Sequence, residues 1–396
     1  MLKGKKIVIG VTGGIAVYKA VDIVSRLKKL GAEVNVIMTK AATEFVTPLT
    51  FQSLSHNPVV VDMFGKAHYW DVEHISLADK ADLMLIAPAT ANIIGKIANG
   101  IADDMLSTTI MATKAKVVLS PAMNVNMYNN PIFQENLSYL KEKGYKVIEA
   151  DAGYLACGYE GRGRLPDPEE IVNNAVAYLL AQEEDLKGKR IMITAGGTRE
   201  ELDPVRYLGN NSSGKMGYSL ARMAKARGAD VTLVSASTEL SPPKGVDIII
   251  AQSASHMYKE VLENREGQDA IIMAAAVADY RPKRRLDSKL KKKEGPLSLE
   301  LDRTEDILAS LGKDKKDQVL VGFAAESDNI IENAESKLKR KKADLIVAND
   351  ISKDDTGFSS DSNQVVIISE DKEVEIPKSN KLVIADKILD QLNILL

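Results

Sequence analysis

The sequence predicts two α/β domains, each built on a parallel sheet, and three observations carry that reading. Short β-branched and aliphatic runs alternate with helical stretches along the chain. Two of those runs lead into a glycine pair, Gly13-Gly14 and Gly196-Gly197. The opening itself recurs, since Leu2-Lys3-Gly4-Lys5-Lys6-Ile7-Val8-Ile9 returns as Leu186-Lys187-Gly188-Lys189-Arg190-Ile191-Met192-Ile193. A strand, a glycine turn and a helix make a βαβ unit, whose strands pair in parallel. The echo fits a duplication, and equally the shared demands of two such units.

Each element follows in order. Residues 31–39 give the second strand of the first half, and residues 81–88 and 116–121 read as buried strands ending in loops. In the second half residues 228–235 mirror the second strand, and 269–274, 318–323 and 344–348 supply further strands. The stretch 363–377 alternates like a hairpin before a last amphipathic helix. The acidic run Gln182-Glu183-Glu184-Asp185 reads as a helix end and linker, so the boundaries are set at 1–185 and 186–396.

Composition narrows the function. A chain of 396 residues has room for two or three domains of about 150 residues. With 45% hydrophobic and 27% charged residues it is neither disordered nor fibrous. Lys plus Arg number 52 against 55 Asp plus Glu, a net charge of −3, which argues against a polycation built for nucleic acid. The single cysteine, Cys157, excludes an intrachain disulfide and a multi-Cys zinc site, and four histidines argue against a His-rich metal centre. No run approaches 18 apolar residues, and the first residues lead straight into a strand. The expectation is a cytoplasmic protein with no membrane contact.

Ligands of doubly wound sheets collect at the carboxyl ends of the strands. Thr12-Gly13-Gly14-Ile15 sits there, before a helix whose N-terminus suits a phosphate. The same residues read as a plain strand-to-helix turn, and the spacing of Gly10, Gly13 and Gly14 is not the dinucleotide fingerprint. Ala87-Pro88-Ala89-Thr90-Ala91-Asn92 and Pro121-Ala122-Met123-Asn124 follow two further strands. Cys157 lies among glycines and arginines, in Gly153-Tyr154-Leu155-Ala156-Cys157-Gly158-Tyr159-Glu160-Gly161-Arg162. A lone cysteine reads as a small buried hydrophobe, but mobile backbone and positive charge also suit a proton-donating thiol. His74 alone reads as an ordinary histidine near a helix start.

In the second half, residues 194–217 form a long polar, glycine-rich loop with Arg199, Arg206 and Lys215. Ser212-Ser213-Gly214 reads as an anion cradle or as a helix cap. Residues 281–293 and 337–342 are two basic clusters. Solvated faces, nucleic acid and a triphosphate all compete for them, and the lack of interleaved aromatic residues counts against nucleic acid.

These residues carry a resemblance that covers nearly the whole chain. It resembles the bifunctional phosphopantothenoylcysteine decarboxylase/phosphopantothenate–cysteine ligase family of coenzyme A biosynthesis. The first half is similar to the homo-oligomeric flavin-containing cysteine decarboxylases, whose histidine, Pro-Ala-Met-Asn and Ala-Cys-Gly motifs match His74, Pro121-Ala122-Met123-Asn124 and Ala156-Cys157-Gly158. The second half matches the ligase motifs at Ala274-Ala275-Ala276-Val277-Ala278-Asp279-Tyr280, Lys289-Leu290-Lys291-Lys292, Gly322-Phe323-Ala324-Ala325-Glu326 and Ala348-Asn349-Asp350. The implied fold is two Rossmann-like domains, an N-terminal flavodoxin-like flavoprotein domain and a C-terminal nucleotide-binding ligase domain. The resemblance also implies a homo-oligomer, a trimer or trimer-based dodecamer with paired ligase domains.

For the first half the resemblance implies bound FMN, contacted by Gly13, Gly14, Ile15, Thr39, Ala89, Thr90, Asn92 and Ser107. Loss of CO2 leaves an electron pair that needs a sink, and oxidation of the thiol carbon to a thioaldehyde provides one. Decarboxylation then gives an ene-thiol, and the hydride is returned. Asn124 is implied to orient the substrate carboxylate, Cys157 to donate the proton, and His74 to act as a base or an electrostatic partner. For the second half the resemblance implies that 4'-phosphopantothenate attacks the α-phosphate of CTP with Mg²⁺ assistance. The acyl-cytidylate is then opened by the amine of cysteine. Asn210 is implied to bind the acyl-cytidylate, and Lys289 to neutralise charge during activation. Asp279, Glu305, Asp306, Ile307, Leu308, Phe323, Lys337 and Lys341 are implied to hold the nucleotide.

The sequence departs from the family in three places. Gly209-Asn210-Asn211 stands where Thr-Asn-Arg is common, and Glu201 and Glu305 stand where proline is usual. Two other readings compete. An unrelated nucleotide-dependent oxidoreductase calls for a dinucleotide fingerprint, which the sequence lacks. A non-catalytic flavoprotein regulatory subunit does not call for an attached ligase with its loop and lysines. His74, Asn124, Cys157, Asn210 and Lys289 together favour catalysis.

Overall fold

The computed structural model of the chain describes residues 1–64, 73–154, 158, 160–181, 183–292, 297–326, 328–350 and 360–396. These form two compact units, Met1–Leu179 and Leu180–Leu396.

The sheet of the first unit contains β1 (Lys6–Val11), β2 (Glu33–Met38), β3 (Val59–Val60), β4 (Leu83–Ala89), β5 (Lys116–Pro121) and β6 (Lys146–Val147). Their order is β3-β2-β1-β4-β5-β6 and every pairing is parallel. Helices on both faces explain why all seven residues of β4 are buried. The helix Val17–Lys29 buries Val17, Ala20, Ile23, Val24 and Leu27, the three-and-four spacing of one apolar face. Gly10 lets this sheet accept its cover, since a Cβ there would lie 2.5 Å from a Leu106 methyl and 2.7 Å from one of Ile86. The strand order reverses between β1 and β4, which opens a crevice at their carboxyl ends. An antiparallel hairpin, β7 (Asp151–Tyr154) and β8 (Glu160–Arg164), stands apart from this sheet.

The second unit repeats the plan. It contains β9 (Arg190–Ala195), the ribbon β10 (Arg199–Glu201) and β11 (Tyr207–Gly209), β12 (Asp230–Ser235), β13 (Asp247–Ile250) and β14 (Ala270–Met273). A second ribbon, β15 (Tyr280–Pro282) and β16 (Leu301–Arg303), precedes β17 (Val319–Glu326), β18 (Leu345–Asp350), β19 (Ser362–Ile368) and β20 (Glu373–Asn380). The large sheet runs β13-β12-β9-β14-β17-β18-β19-β20. It is parallel from β13 to β18 and antiparallel at β19 and β20, and its order reverses between β9 and β14. The helix Lys381–Asn393 packs on the helix Lys215–Ala226. Beside that pair the buried Arg227 donates to Asp185, Asp386 and Asp390.

One local expectation fails. The helix Pro168–Leu180 stops short of the acidic run expected to end it. Asp185 lies instead in a turn, drawn toward Arg227 at 2.9 Å. Gln182 lies outside the described residues. Among those residues no helix is long and apolar enough to cross a membrane.

Candidate active sites

The crevice of the first unit is a cleft of about 1530 Å³ at the carboxyl ends of β1, β2, β4 and β5. Gly13, Gly14, Ile15, Thr39, Thr90, Asn92 and Asn124, dispersed in sequence, all line it. Thr12 sets the spacing of two of its walls. Its hydroxyl donates to the Pro88 carbonyl at 2.7 Å and accepts from the Thr90 N–H at 3.0 Å, which staples the end of β1 to the end of β4. Gly13 is held against a second wall, whereas a Cβ on Gly14 would meet only Thr90, at 3.9 Å. Thr90 itself caps the helix Ala91–Ala98, and Thr39 caps the turn at Lys40–Thr43. Ala16, the N-cap of the helix Val17–Lys29, brings no side-chain cap.

Asn124 caps the helical turn Val125–Tyr128, with its Oδ1 accepting from the Asn126 N–H at 2.8 Å. That bond fixes the orientation of the amide at the head of the turn, where Asn124 lines the cleft. The turn is anchored from below, where the Tyr128 hydroxyl donates to Glu149 at 2.7 Å. Burial pushes the Glu149 carboxyl up, but hydrogen bonds from Lys141 and Tyr128 outweigh it and hold the group below its ordinary range. The β7–β8 hairpin lies on the same turn. A Cβ on Gly163 would sit 2.3 Å from the Met123 carbonyl oxygen, and one on Gly161 would sit 2.6 Å from a Val125 methyl. Met123 N–H also donates to the Gly163 carbonyl at 3.0 Å. Strand β8 therefore rests directly on the Asn124 segment. Cys157 lies outside the described residues.

Not every expected residue reaches the cleft. Ala89 is fully buried in β4 and is not part of the lining. Ser107 is also buried, in a reciprocal capping box whose hydroxyl donates at 2.8 Å to Asp104, itself a lining residue. His74 lies half-buried on the helix Glu73–Lys80, outside the lining. Thr12 is read in the sequence only as part of the glycine turn; its bond to Pro88 spans 76 residues and that of Tyr128 to Glu149 spans 21, so neither contact shows there.

In the second unit, hydrogen bonds gather the loops beyond β9 and β14. Ala276 N–H donates to Gly196 at 2.9 Å, and Ala278 N–H to the Thr198 hydroxyl at 2.9 Å. The Asn210 amide donates to the Val277 carbonyl at 3.2 Å, so Asn210 and the segment ending at Asp279 are neighbours. Thr304 donates from its N–H to the Asp279 carbonyl at 3.0 Å and from its hydroxyl to Ala278 at 2.6 Å. That brings Glu305 and Asp306 to the same place. Asp306 caps the helix Ile307–Lys313 and pairs with Lys341. Burial raises its carboxyl, and the Lys341 bond with the Ala309 N–H brings the net shift below the usual range. Lys337 donates to the Phe323 carbonyl at 2.8 Å. Ile307 and Leu308 are core residues, so only their backbone can face a ligand. Lys289 is exposed on the segment that follows β15.

The first unit fits a phosphorylated planar ligand such as FMN. Its glycine turn lies at the start of a long helix, threonine and asparagine side chains surround it, and Ile15 and Met127 expose apolar surface in the same cleft. Among the described residues no group of three His, Cys, Asp or Glu side chains could hold a metal ion.

Two doubly wound units, the first with a ligand cleft at its switch point, define a fused flavoprotein. Residues 1–180 match the Flavoprotein family model, and residues 186–395 match the DNA/pantothenate metabolism flavoprotein C-terminal domain. The chain belongs to the family of bifunctional coenzyme A biosynthesis proteins. The coenzyme A biosynthesis bifunctional protein CoaBC of Bacillus subtilis (strain 168) is 49% identical over 395 residues, covering 99% of this chain and 97% of that one. That of Vibrio vulnificus (strain CMCP6) is 44% identical over 398 residues, covering 100% and 99%. A crystal structure of the C-terminal domain of a CoaBC protein matches 54% of this chain and 98% of its own at 42% identity, with a TM-score of 0.47.

Proposed function

We propose that this bifunctional coenzyme A biosynthesis enzyme converts 4'-phosphopantothenate, cysteine and CTP into 4'-phosphopantetheine, with ligation in the second unit and decarboxylation in the first. The convergence of Gly13, Gly14, Thr39, Thr90, Asn92 and Asn124 on one cleft carries this reading.

In the second unit a carboxylate oxygen of phosphopantothenate bonds to the α-phosphorus of CTP, and pyrophosphate leaves. The cysteine nitrogen then bonds to the acyl carbon, CMP leaves, and the nitrogen loses a proton. Lys289 neutralises charge as pyrophosphate departs, and Asn210 holds the acyl-cytidylate beside Val277. Asp279, Glu305, Asp306, Phe323, Lys337 and Lys341, with the backbone of Ile307 and Leu308, bind the nucleotide, and Mg²⁺ accompanies its phosphates.

In the first unit the residues that line the cleft hold FMN, which when bound supplies a reversible two-electron acceptor next to the substrate thiol. Asn124 orients the carboxylate so that the breaking C–C bond faces the electron sink. Cys157 gives up the proton that completes the product, and His74 supplies a basic or electrostatic partner. Ala89 and Ser107 support the wall from behind. Ile15, Tyr18, Met127 and Tyr154 expose apolar surface along the cleft, which supports a homo-oligomer; its trimer basis and its work in the cytoplasm follow the family resemblance.

The purified protein is expected to be yellow. With phosphopantothenate, cysteine and Mg²⁺ it should release CMP from CTP, and CO2 in equal amount, with little turnover of ATP. A Cys157→Ser variant should accumulate the amide. Bound flavin without nucleotide cleavage or CO2 release would overturn the reading in favour of a regulatory flavoprotein.

A further inference from the structure

We infer that Asp203 is a positioning residue for Lys289, through a clamp that it and Arg206 place on the backbone of Leu290. This rests on the reading that Lys289 serves carboxyl activation. The Asp203 side chain is fully enclosed, and its two oxygens divide their work. Oδ1 accepts from the N–H groups of Val205 at 2.8 Å and Arg206 at 2.9 Å, a local turn. Oδ2 accepts from the Arg206 guanidinium at 3.0 Å and from the Leu290 N–H at 3.0 Å. The same guanidinium donates to the Leu290 carbonyl at 2.7 Å. Both polar groups of the Leu290 backbone are thus held by one ion pair from a loop 84 and 87 residues away in sequence.

Lys289 depends on that hold. Its segment is neither helix nor strand, and the preceding tie is the Leu286 N–H to the Leu202 carbonyl at 2.9 Å. Fixing Leu290 fixes the Lys289 Cα and the arc that its ammonium can sweep, while the side chain stays exposed to meet substrate. A local turn alone needs only Oδ1. The bond from Arg206 holds the Asp203 carboxyl far below its ordinary range, so it stays ionised wherever the enzyme is assayed.

Asp203→Asn separates the two jobs, because an amide oxygen can keep the turn while an N–H₂ group at Oδ2 faces donors only. The full-length holoenzyme would be assayed for CTP-dependent pyrophosphate release, alongside hydrogen exchange of the peptide spanning residues 287–292. The expected result is a kcat lowered by up to about 10²-fold, a KM for cysteine unchanged within about twofold, and faster exchange confined to that peptide. Lys289→Gln should lose as much, and the double variant no more than either alone. Arg206→Lys keeps an ion pair but drops the bond to the Leu290 carbonyl. It should give a smaller loss with the same exchange signature, and it decides the matter if Asp203→Asn does not fold. Normal kcat or normal exchange in Asp203→Asn, or losses that multiply in the double variant, would overturn the clamp and leave the Lys289 reading standing. A normal rate for Lys289→Gln would overturn that reading, and the proposal with it.

Discussion

A methyl group at position 13 has nowhere to go, since an ideal Cβ there would lie 2.5 Å from the Ala41 Cβ and 2.8 Å from the Ala41 carbonyl oxygen. Gly13→Ala must push apart the glycine turn and the segment after β2, at a cost of about 1–3 kcal/mol. The expected outcome is protein with flavin affinity about 5- to 150-fold weaker, read from visible absorbance after dialysis. Lys381 gives a second prediction. Burial pushes its ammonium down to about 8, from 10.5, with the charge of Lys215 adding to the shift and that of Asp361 opposing it. The unfolded chain therefore binds more protons between about pH 8 and pH 10.5, and stability climbs across that window. Denaturant unfolding of the second unit should show the climb, and Lys381→Met should flatten it. Neither residue announces this in the sequence. Gly13 reads as a turn glycine, and nothing in the last helix's sequence marks Lys381 as buried. Ser107 and Ala89 show the same limit, because spacing places a residue on an element but does not say which wall it faces.

The β7–β8 hairpin depends on glycine for its seat. Gly163 has φ +148°, which L side chains rarely adopt, and its Cβ would strike the Met123 carbonyl oxygen at 2.3 Å. Gly163→Ala should lift the hairpin off the Asn124 turn. CO2 release from phosphopantothenoylcysteine is expected to fall by up to about 10²-fold, while CMP release from CTP is unchanged. At this scale the sequence was legible where an element is long. The aliphatic strands of both sheets stand out by composition, as does the alternating pair β19 and β20. The ribbons β10–β11 and β15–β16, whose strands are three residues each, are too short for a period to register. The acidic run at 182–185 misled because charge near a helix end looks the same whether the helix continues or an arginine elsewhere claims the carboxylate.

Arg227 ties the start of the second unit to its last helix. It is buried among Asp185, Asp386 and Asp390, so each carboxylate removed leaves a buried donor short of its acceptor. Asp185→Asn is expected to destabilise the second unit by about 1–3 kcal/mol without moving the unfolding of the first, as two-probe denaturation would report. The two-unit plan was the most legible feature of all, because the repeated opening is a contiguous string. The network at Arg227 was not, since its members come from three separated stretches. The division of one chain into two compact units also has a consequence for flux. One translation event makes one ligase and one decarboxylase, so their ratio cannot drift with expression. The standing pool of phosphopantothenoylcysteine is then governed by the quotient of two turnover numbers, a quantity that mutation can tune and gene dosage cannot.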